Sequence, residues 1–181
     1  MRSSVELILL FSDNVPLTEE VGLKVRAEEL GLLVMGPGAG TAVIGGIGLG
    51  FANVVRAGAV GVVAAAGTGA QEVMSLLDRW GAGVTHVIGV GGRDLSDEVG
   101  GRMVRQALRA LEDDPGTRVL LIVSKPPSPA VAAATLSDLG AKPTVAALVG
   151  MEGGLAVPEG VRLARTLEEA VLLTQIGRAH V

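Results

Sequence analysis

The stretch VVAAAGTGA, residues 62–70, carries small apolar side chains into a Gly-Thr-Gly. Apolar residues at helical spacing follow at Ala70, Val73, Met74, Leu77 and Trp80. An apolar run closed by glycines and continued by an amphipathic pattern reads as strand, turn and helix. Glycine lets the backbone turn tightly and lets a ligand come close. The helix behind it aims unpaired N–H groups and a partial positive charge at the turn. Thr68 adds a hydroxyl. Two readings of Gly67, Thr68 and Gly69 stand side by side: a seat for a phosphate or carboxylate, or a turn that lets the helix pack on its strand. A P-loop is excluded, because the Lys-Ser/Thr that completes one is missing.

The same alternation continues outward. VTHVIGV (84–90) reads as the next strand and GGRDLSDE (91–98) as its loop, with Ser96 capping a helix whose first turn holds Asp97 and Glu98. RVLLIV (118–123) is a strand closed by SKPPSP. PAVAAATLSDLG (129–140) reads as helix, KPTVAALV as strand, and EGVRLARTLEEAVLLT as a short strand, a Thr166 cap and a final helix. Upstream, residues 6–11 (ELILLF) and 32–35 (LLVM) read as buried strands. Between them lies a helix with Asp13 or Asn14 as cap, Pro16 in its first turn, Val21, Val25 and Leu30 on its apolar face, and Gly31 as its stop. The glycine-punctuated runs GPGAGT and GGIGLG read as turns and loops. Strands apolar throughout, alternating with helices, predict an α/β fold with a doubly wound parallel sheet covered on both faces.

Composition narrows the function. The chain has 181 residues, 49% hydrophobic but only 2% aromatic, with no Tyr and no Cys. Stacking platforms for single-stranded nucleic acid need aromatic faces, and a net charge of -4 without a basic cluster points the same way. No nucleic-acid partner is expected. The absence of cysteine excludes disulfides and thiolate metal sites, and no metal cluster stands out. The apolar start is too short for a secretory signal and contains Glu6, and the uncharged run from Leu30 to Val55 is broken by glycines. A soluble, cytoplasmic protein with no membrane partner is the expectation.

In a doubly wound sheet, ligands sit beyond the carboxyl ends of the strands. Three loops fall there. Besides Gly67–Gly69, these are Gly91-Gly92-Arg93-Asp94 and Ser124-Lys125-Pro126-Pro127. Arg93 suits a carboxylate or phosphate, with Asp94 to orient it. Lys125 offers a second cation on a proline-stiffened loop. The alternatives are an exposed ion pair and a solvated surface lysine. Taken jointly, Gly67, Thr68, Gly69, Gly91, Gly92, Arg93, Asp94 and Lys125 form one candidate anion site for a small anionic substrate. His86 lies mid-strand and reads as a packed histidine. No Ser-His-Asp order or carboxylate pair identifies a catalytic residue.

FSDNVPLTEEVGLK, GLLVMGPGAGTAVI, LGFANVVRAGAVGVVAAAGTGAQEV, IGVGGRDLSDEVGG and SKPPSP, in that order, resemble the FdrA family, akin to the alpha subunit of succinyl-CoA synthetase. The resemblance runs to about Thr174. It implies a flavodoxin-like CoA-ligase domain over 59–175, preceded over 1–58 by the end of a Rossmann-type CoA-binding domain plus linker. It further implies Gly36, Pro37 and Gly38 as CoA-binding residues, CoA and a nucleotide as cofactors of the full-length protein, and a partner ligase-type subunit. In the synthetase, the loop matching 66–69 opens a helix that faces the phosphate on a catalytic histidine.

This sequence departs from that pattern. Where the synthetase has a glutamate supporting the histidine, Lys125 stands nearby. Where it has the phosphorylated histidine, GMEGGLAVPEG (150–160) has none. GPGAGT lacks the usual polar residue and cysteine. Relay through a phosphohistidine needs a nucleophilic imidazole. The resemblance therefore carries three functional classes: an acyl-CoA synthetase-like subunit, an oxamate carbamoyltransferase subunit of purine degradation, and a non-catalytic fragment. The tail IGRAHV (176–181) back-translates to what reads as a common sequencing-adapter read-through; on that expectation His180 is set aside and the chain is expected to be an internal fragment.

Overall fold

The computed structural model describes residues 7–151 and 154–178. Fourteen elements follow one another. β1 (Leu7–Leu9), α1 (Leu17–Leu30) and β2 (Leu33–Met35) come first, then a hairpin of β3 (Thr41–Ile44) and β4 (Ile47–Gly50). Next are β5 (Ala57–Ala65), α2 (Gly67–Arg79), β6 (Val84–Gly89), α3 (Arg102–Asp113), β7 (Val119–Ser124) and α4 (Pro129–Ser137). β8 (Thr144–Leu148), β9 (Val161–Ala164) and α5 (Leu167–Arg178) complete the set.

Seven strands form one sheet in the order β4-β3-β6-β5-β7-β8-β9. The five strands from β5 onward are mutually parallel. Counted from β5 as first, their spatial order is 2-1-3-4-5, the flavodoxin-like order. β5 and β7 are buried almost throughout because helices cover both faces. One core layer holds Met103, Val104, Leu108 and Leu111 of α3 with Ala132 and Leu136 of α4. The other holds Val73, Met74 and Leu77 of α2 with Ala170 and Val171 of α5. The α/β doubly wound expectation holds.

The upstream part differs from the sequence reading in several places. The glycine-rich run read as loop is a hairpin. Gly45 and Gly46 both take positive φ, 56° and 80°, which a two-residue primed turn requires. The hairpin joins the main sheet antiparallel, with Val43 opposite Val87, across the expected boundary at residue 58. β1 and β2 instead form a separate two-stranded parallel sheet.

α1 is capped by Pro16 without a side-chain hydrogen bond, not by Asp13 or Asn14. Asn14 has φ 57° and belongs to the turn before it. The buried face of α1 is Glu20, Lys24 and Ala27, whereas Leu30 is exposed. Charge pairing, not apolar burial, sets the orientation of this helix. Gly31 does stop it in the left-handed conformation.

α3 begins at Arg102 behind Gly101, so Asp97 and Glu98 precede the helix and Ser96 does not cap it. Asp94 takes that role, accepting from the N–H groups of Met103 and Val104 at 3.4 and 2.9 Å. Trp80, expected on the apolar face of α2, is C-terminal to it and 40% exposed.

The Thr166 cap is as read. Its hydroxyl accepts from Glu169 N–H at 3.1 Å, and the Glu169 carboxylate accepts from Arg165 N–H at 2.7 Å. Thr166→Ala should therefore lower stability by about 1 kcal/mol in urea denaturation, the ordinary worth of such a cap. Of the tail, residues 179–181, His180 included, lie outside the described residues, and α5 runs through Arg178. Among the described residues no helix is long and apolar enough to cross a membrane.

Candidate functional site

The switch point of a 2-1-3-4-5 sheet lies between its first and third strands, here between the carboxyl ends of β5 and β7. β5 runs directly into α2, whose N-cap Ala66 is extended (φ −152°, ψ 102°) and gives no side-chain cap. The first N–H groups of a helix have no partner inside it. Those of Gly67, Thr68 and Gly69 thus open α2 without a capping side chain. β7 ends at Ser124, and Lys125 follows on the neighbouring loop. Ala66, Thr68, Gly69, Val123, Ser124, Lys125, Val149 and Leu167 line one pocket of about 250 Å³. Its walls are apolar, its floor is a helix N-terminus, and Lys125 supplies the cation. That arrangement suits one small anion.

The two glycines differ. A Cβ on Gly69 would stand 2.8 Å from Val123 Cγ1, so packing of α2 on β7 already demands glycine there. A Cβ on Gly67 would meet nothing within 4 Å. Packing explains Gly69 and leaves Gly67 to another cause.

Arg93 lines a second pocket, of about 320 Å³, with Asp13, Asn14, Pro37, Gly38 and Gly92. The loop Gly36–Gly38 sits against the loop after β6. A Cβ on Gly91, whose φ is 89°, would come within 2.6 Å of the Pro37 carbonyl oxygen. The eight-residue candidate site thus divides between two pockets. Thr68, Gly69 and Lys125 line one, and Gly92 and Arg93 line the other. A Cβ on Gly92 would stand 3.8 Å from the Ala65 carbonyl oxygen, so the end of β5 adjoins both.

Asp94 does not orient Arg93. It is fully buried and turns inward, with Lys24 Nζ 2.8 Å from its Oδ1. Burial pushes its carboxyl up from the ordinary carboxylate range, against the pull of the Lys24 ammonium and the two α3 amides. Lys24 Nζ also donates to the Val90 carbonyl at 2.9 Å and lies 2.9 Å from Glu20 Oε1. Arg93 pairs instead with Glu20 Oε2 at 2.7 Å and donates to the Val15 carbonyl at 2.7 Å. Both Glu20 contacts are ion pairs by distance and lie off the hydrogen-bonding direction. The sequence reading missed Glu20 and Lys24. Their i,i+4 spacing in EEVGLK was the available signal, but such pairs ordinarily face water.

His86 stands away from both pockets, near the amino end of β6. Its Nδ1 accepts from Gly45 N–H at 3.2 Å and its Nε2 lies 3.6 Å from Asp114 Oδ2. Asp114 is held below the usual carboxylate range, chiefly by the Thr117 hydroxyl and also by Gly116 N–H and His86. Among the described residues no group of three or more His, Asp or Glu side chains is placed to hold a metal.

The family model described as "CoA binding domain" matches residues 55–151, beginning after Gly36, Pro37 and Gly38. "Uncharacterized protein YahF" of Escherichia coli (strain K12) is 45% identical over 167 residues, covering 91% of this chain and 32% of that protein. The "ADP-forming sulfoacetate-CoA ligase subunit SauD" of Bilophila wadsworthia (strain 3_1_6) is 31% identical over 172 residues, covering 90% of this chain and 56% of the relative. The chain thus spans from a third to a little over half of these relatives. Among solved structures, the dinucleotide forming acetyl-coenzyme A synthetase 1 of Ca. Korarchaeum cryptofilum, in complex with phosphate and ADP, matches with a TM-score of 0.70 at 18% identity. That match covers 95% of this chain and 43% of the other, and shows a shared fold.

Proposed function

The chain belongs to the CoA-binding domain family, and from that premise we propose that it is the part of an FdrA-type, succinyl-CoA ligase alpha-like subunit that holds a small phosphate-bearing ligand. The carrying observation is the pocket at the β5/β7 switch point, where the α2 N-terminus meets Lys125. In the whole protein, CoA, a nucleotide and a partner ligase subunit complete the reaction. The relatives that support this are named as subunits of CoA ligases. The resemblance divides the chain at residue 58 and gives CoA to Gly36–Gly38. The pocket beside that loop, about 320 Å³ with one arginine, fits a small anion better than the whole length of CoA, so no step is routed through CoA here.

The chemistry this chain supplies is binding and charge stabilisation. The amides of Gly67, Thr68 and Gly69 are preorganised donors, and Lys125 neutralises a phosphate that the apolar walls shield from water. His86 does not serve a phosphoryl relay, since it sits toward the other end of the sheet. A second reading, carbamoyl transfer, draws on that same placement. It needs a cationic phosphate seat and no histidine, so carbamoyl phosphate is the competing guest.

Calorimetric titration of the full chain with inorganic phosphate tests the site. Lys125→Ala should weaken binding at least tenfold. Thr68→Ala, which loses one neutral hydrogen bond, should weaken it by roughly two- to twelvefold. Absence of phosphate binding, or indifference to Lys125→Ala, overturns the proposal. Tighter binding of carbamoyl phosphate than of phosphate favours the second reading.

A further inference from the structure

We infer that the cleft over β8 and β9 is a further ligand site, one that takes a short aliphatic chain carrying a single anionic head. The cleft follows from topology. The crossovers from β6 to β7 and from β7 to β8 carry α3 and α4, which cover one face of the sheet. β8 to β9 steps in the same direction, so a right-handed crossover lies on that face as well. Parallel neighbours are ordinarily joined there by a helix. Here residues 149–160 make the connection, and no helix occurs among its described residues. A loop stands where a third covering helix would lie.

The loop covers that face only in part. Ala146 and Leu148 of β8 belong to the core layer under α3 and α4. Leu163, the register partner of Ala146, shares their face and is 40% exposed. Met151 and Leu155 fold against the same layer from the loop, and together these side chains line a cavity of about 400 Å³. Such a volume accepts a few carbon atoms, not a helix about 10 Å across. The loop wall is fixed by the fold. Val149 N–H donates to the Ser124 carbonyl at 3.0 Å and Met151 N–H to the Leu148 carbonyl at 3.1 Å, with Gly150 turning between them at φ 84°. Arg165 lines the same cavity, and among the described residues its guanidinium has no hydrogen-bond or ion-pair partner. Glu168 and Glu169 bring opposing charge in the first turn of α5, but the Glu169 carboxylate is turned to Arg165 N–H at 2.7 Å. Apolar walls with one cation at the edge select an aliphatic chain with one anionic end. The phosphate pocket lies across the sheet, where Val123 and Leu167 pack in the layer under α2 and α5. One small molecule therefore does not fill both.

The probes are 4-methylpentanoate and its neutral counterpart 4-methylpentanamide, titrated into the full chain and followed by calorimetry and methyl NMR shifts. The acid should bind saturably, shift the methyl signals of Met151, Leu155 and Leu163, and bind several-fold tighter than the amide. Arg165→Gln should abolish that preference. Leu163→Ser, at an exposed position, should weaken acid and amide alike several-fold. Inorganic phosphate added to the acid complex should leave the acid's affinity unchanged. Absence of saturable binding, equal affinity for acid and amide, or indifference to Leu163→Ser overturns the site. Displacement of the acid by phosphate moves it to the β5/β7 pocket and overturns the site too. Sedimentation showing a dimer of the unaltered chain and a monomer of Leu163→Ser gives the cleft to a second copy, with the same consequence. Phosphate binding without acid binding removes only this ligand site; acid binding without phosphate binding removes only the phosphate seat.

Discussion

Replacing Lys24 by methionine should destabilise the protein by about 3–5 kcal/mol, measured by urea denaturation, because it strands charge in the interior. Lys24 is fully buried, and its ammonium is the common partner of Glu20 and Asp94, both at most 1% exposed. Methionine matches its length and fills the same space, so lost packing contributes little. What is lost is the cation that made two buried carboxylates tolerable. Asp94 retains the Met103 and Val104 amides, whereas Glu20 retains only Arg93. Adding Asp94→Asn should recover part of the loss, since its one amide oxygen still accepts from Val104 N–H, the shorter of the two bonds, and needs no counter-ion. The coupling in that cycle should exceed about 1 kcal/mol, as it does for residues in one ionic network. A loss below about 1 kcal/mol for Lys24→Met, or strict additivity, would mean the cluster is wet and its charges independent.

That cluster marks where the sequence stops being legible. Outside Trp80 and the start of α3, the downstream half is readable because each signal is local. Strand-length apolar runs, glycine stops, the Ser128-Pro129 start of α4 and the Thr166–Glu169 cap each act within a few residues of chain. The carboxyl-end loops follow from the order of strands and helices alone, because a parallel sheet puts its ligands there. α1 is harder, because Val21 and Val25 look like its inner face. What turns the helix is an ion pair to Asp94, 70 residues away, which no periodicity encodes. Adjacency in sequence points Asp94 outward to Arg93, yet neighbours on a tight turn point apart. The hairpin at Gly45-Gly46 is legible in principle, since two glycines between Val43-Ile44 and Ile47 are a turn signal. Glycines nearby dilute it into an apparent loop. The division of the candidate site into two pockets depends on which loops meet in space, and Pro37 against Gly91 is a contact across 54 positions that local pattern does not carry.

The two glycines of the Gly-Thr-Gly should separate packing from binding. Gly69→Val should unfold more easily, by about 1–3 kcal/mol, because its Cβ would sit 2.8 Å from Val123 Cγ1 in a layer that cannot yield without moving β7 or α2. Any loss of phosphate affinity in that variant is then ambiguous. Gly67→Val is the informative change. Nothing lies within 4 Å of the added Cβ, φ is not in the left-handed region, and the position opens a helix, so stability should change by no more than about 0.5 kcal/mol. Phosphate affinity should nonetheless fall at least tenfold, about 1.4 kcal/mol, because an isopropyl group beside the unpaired amides keeps an anion from reaching them. Urea melts and phosphate titrations on the same two variants decide the matter. A Gly67→Val protein that binds phosphate as the unaltered chain does would leave both glycines to the turn and to packing. A Gly69→Val protein of undiminished stability would show that α2 can lift off β7, and the clash that makes Gly69 a packing residue would then have no force.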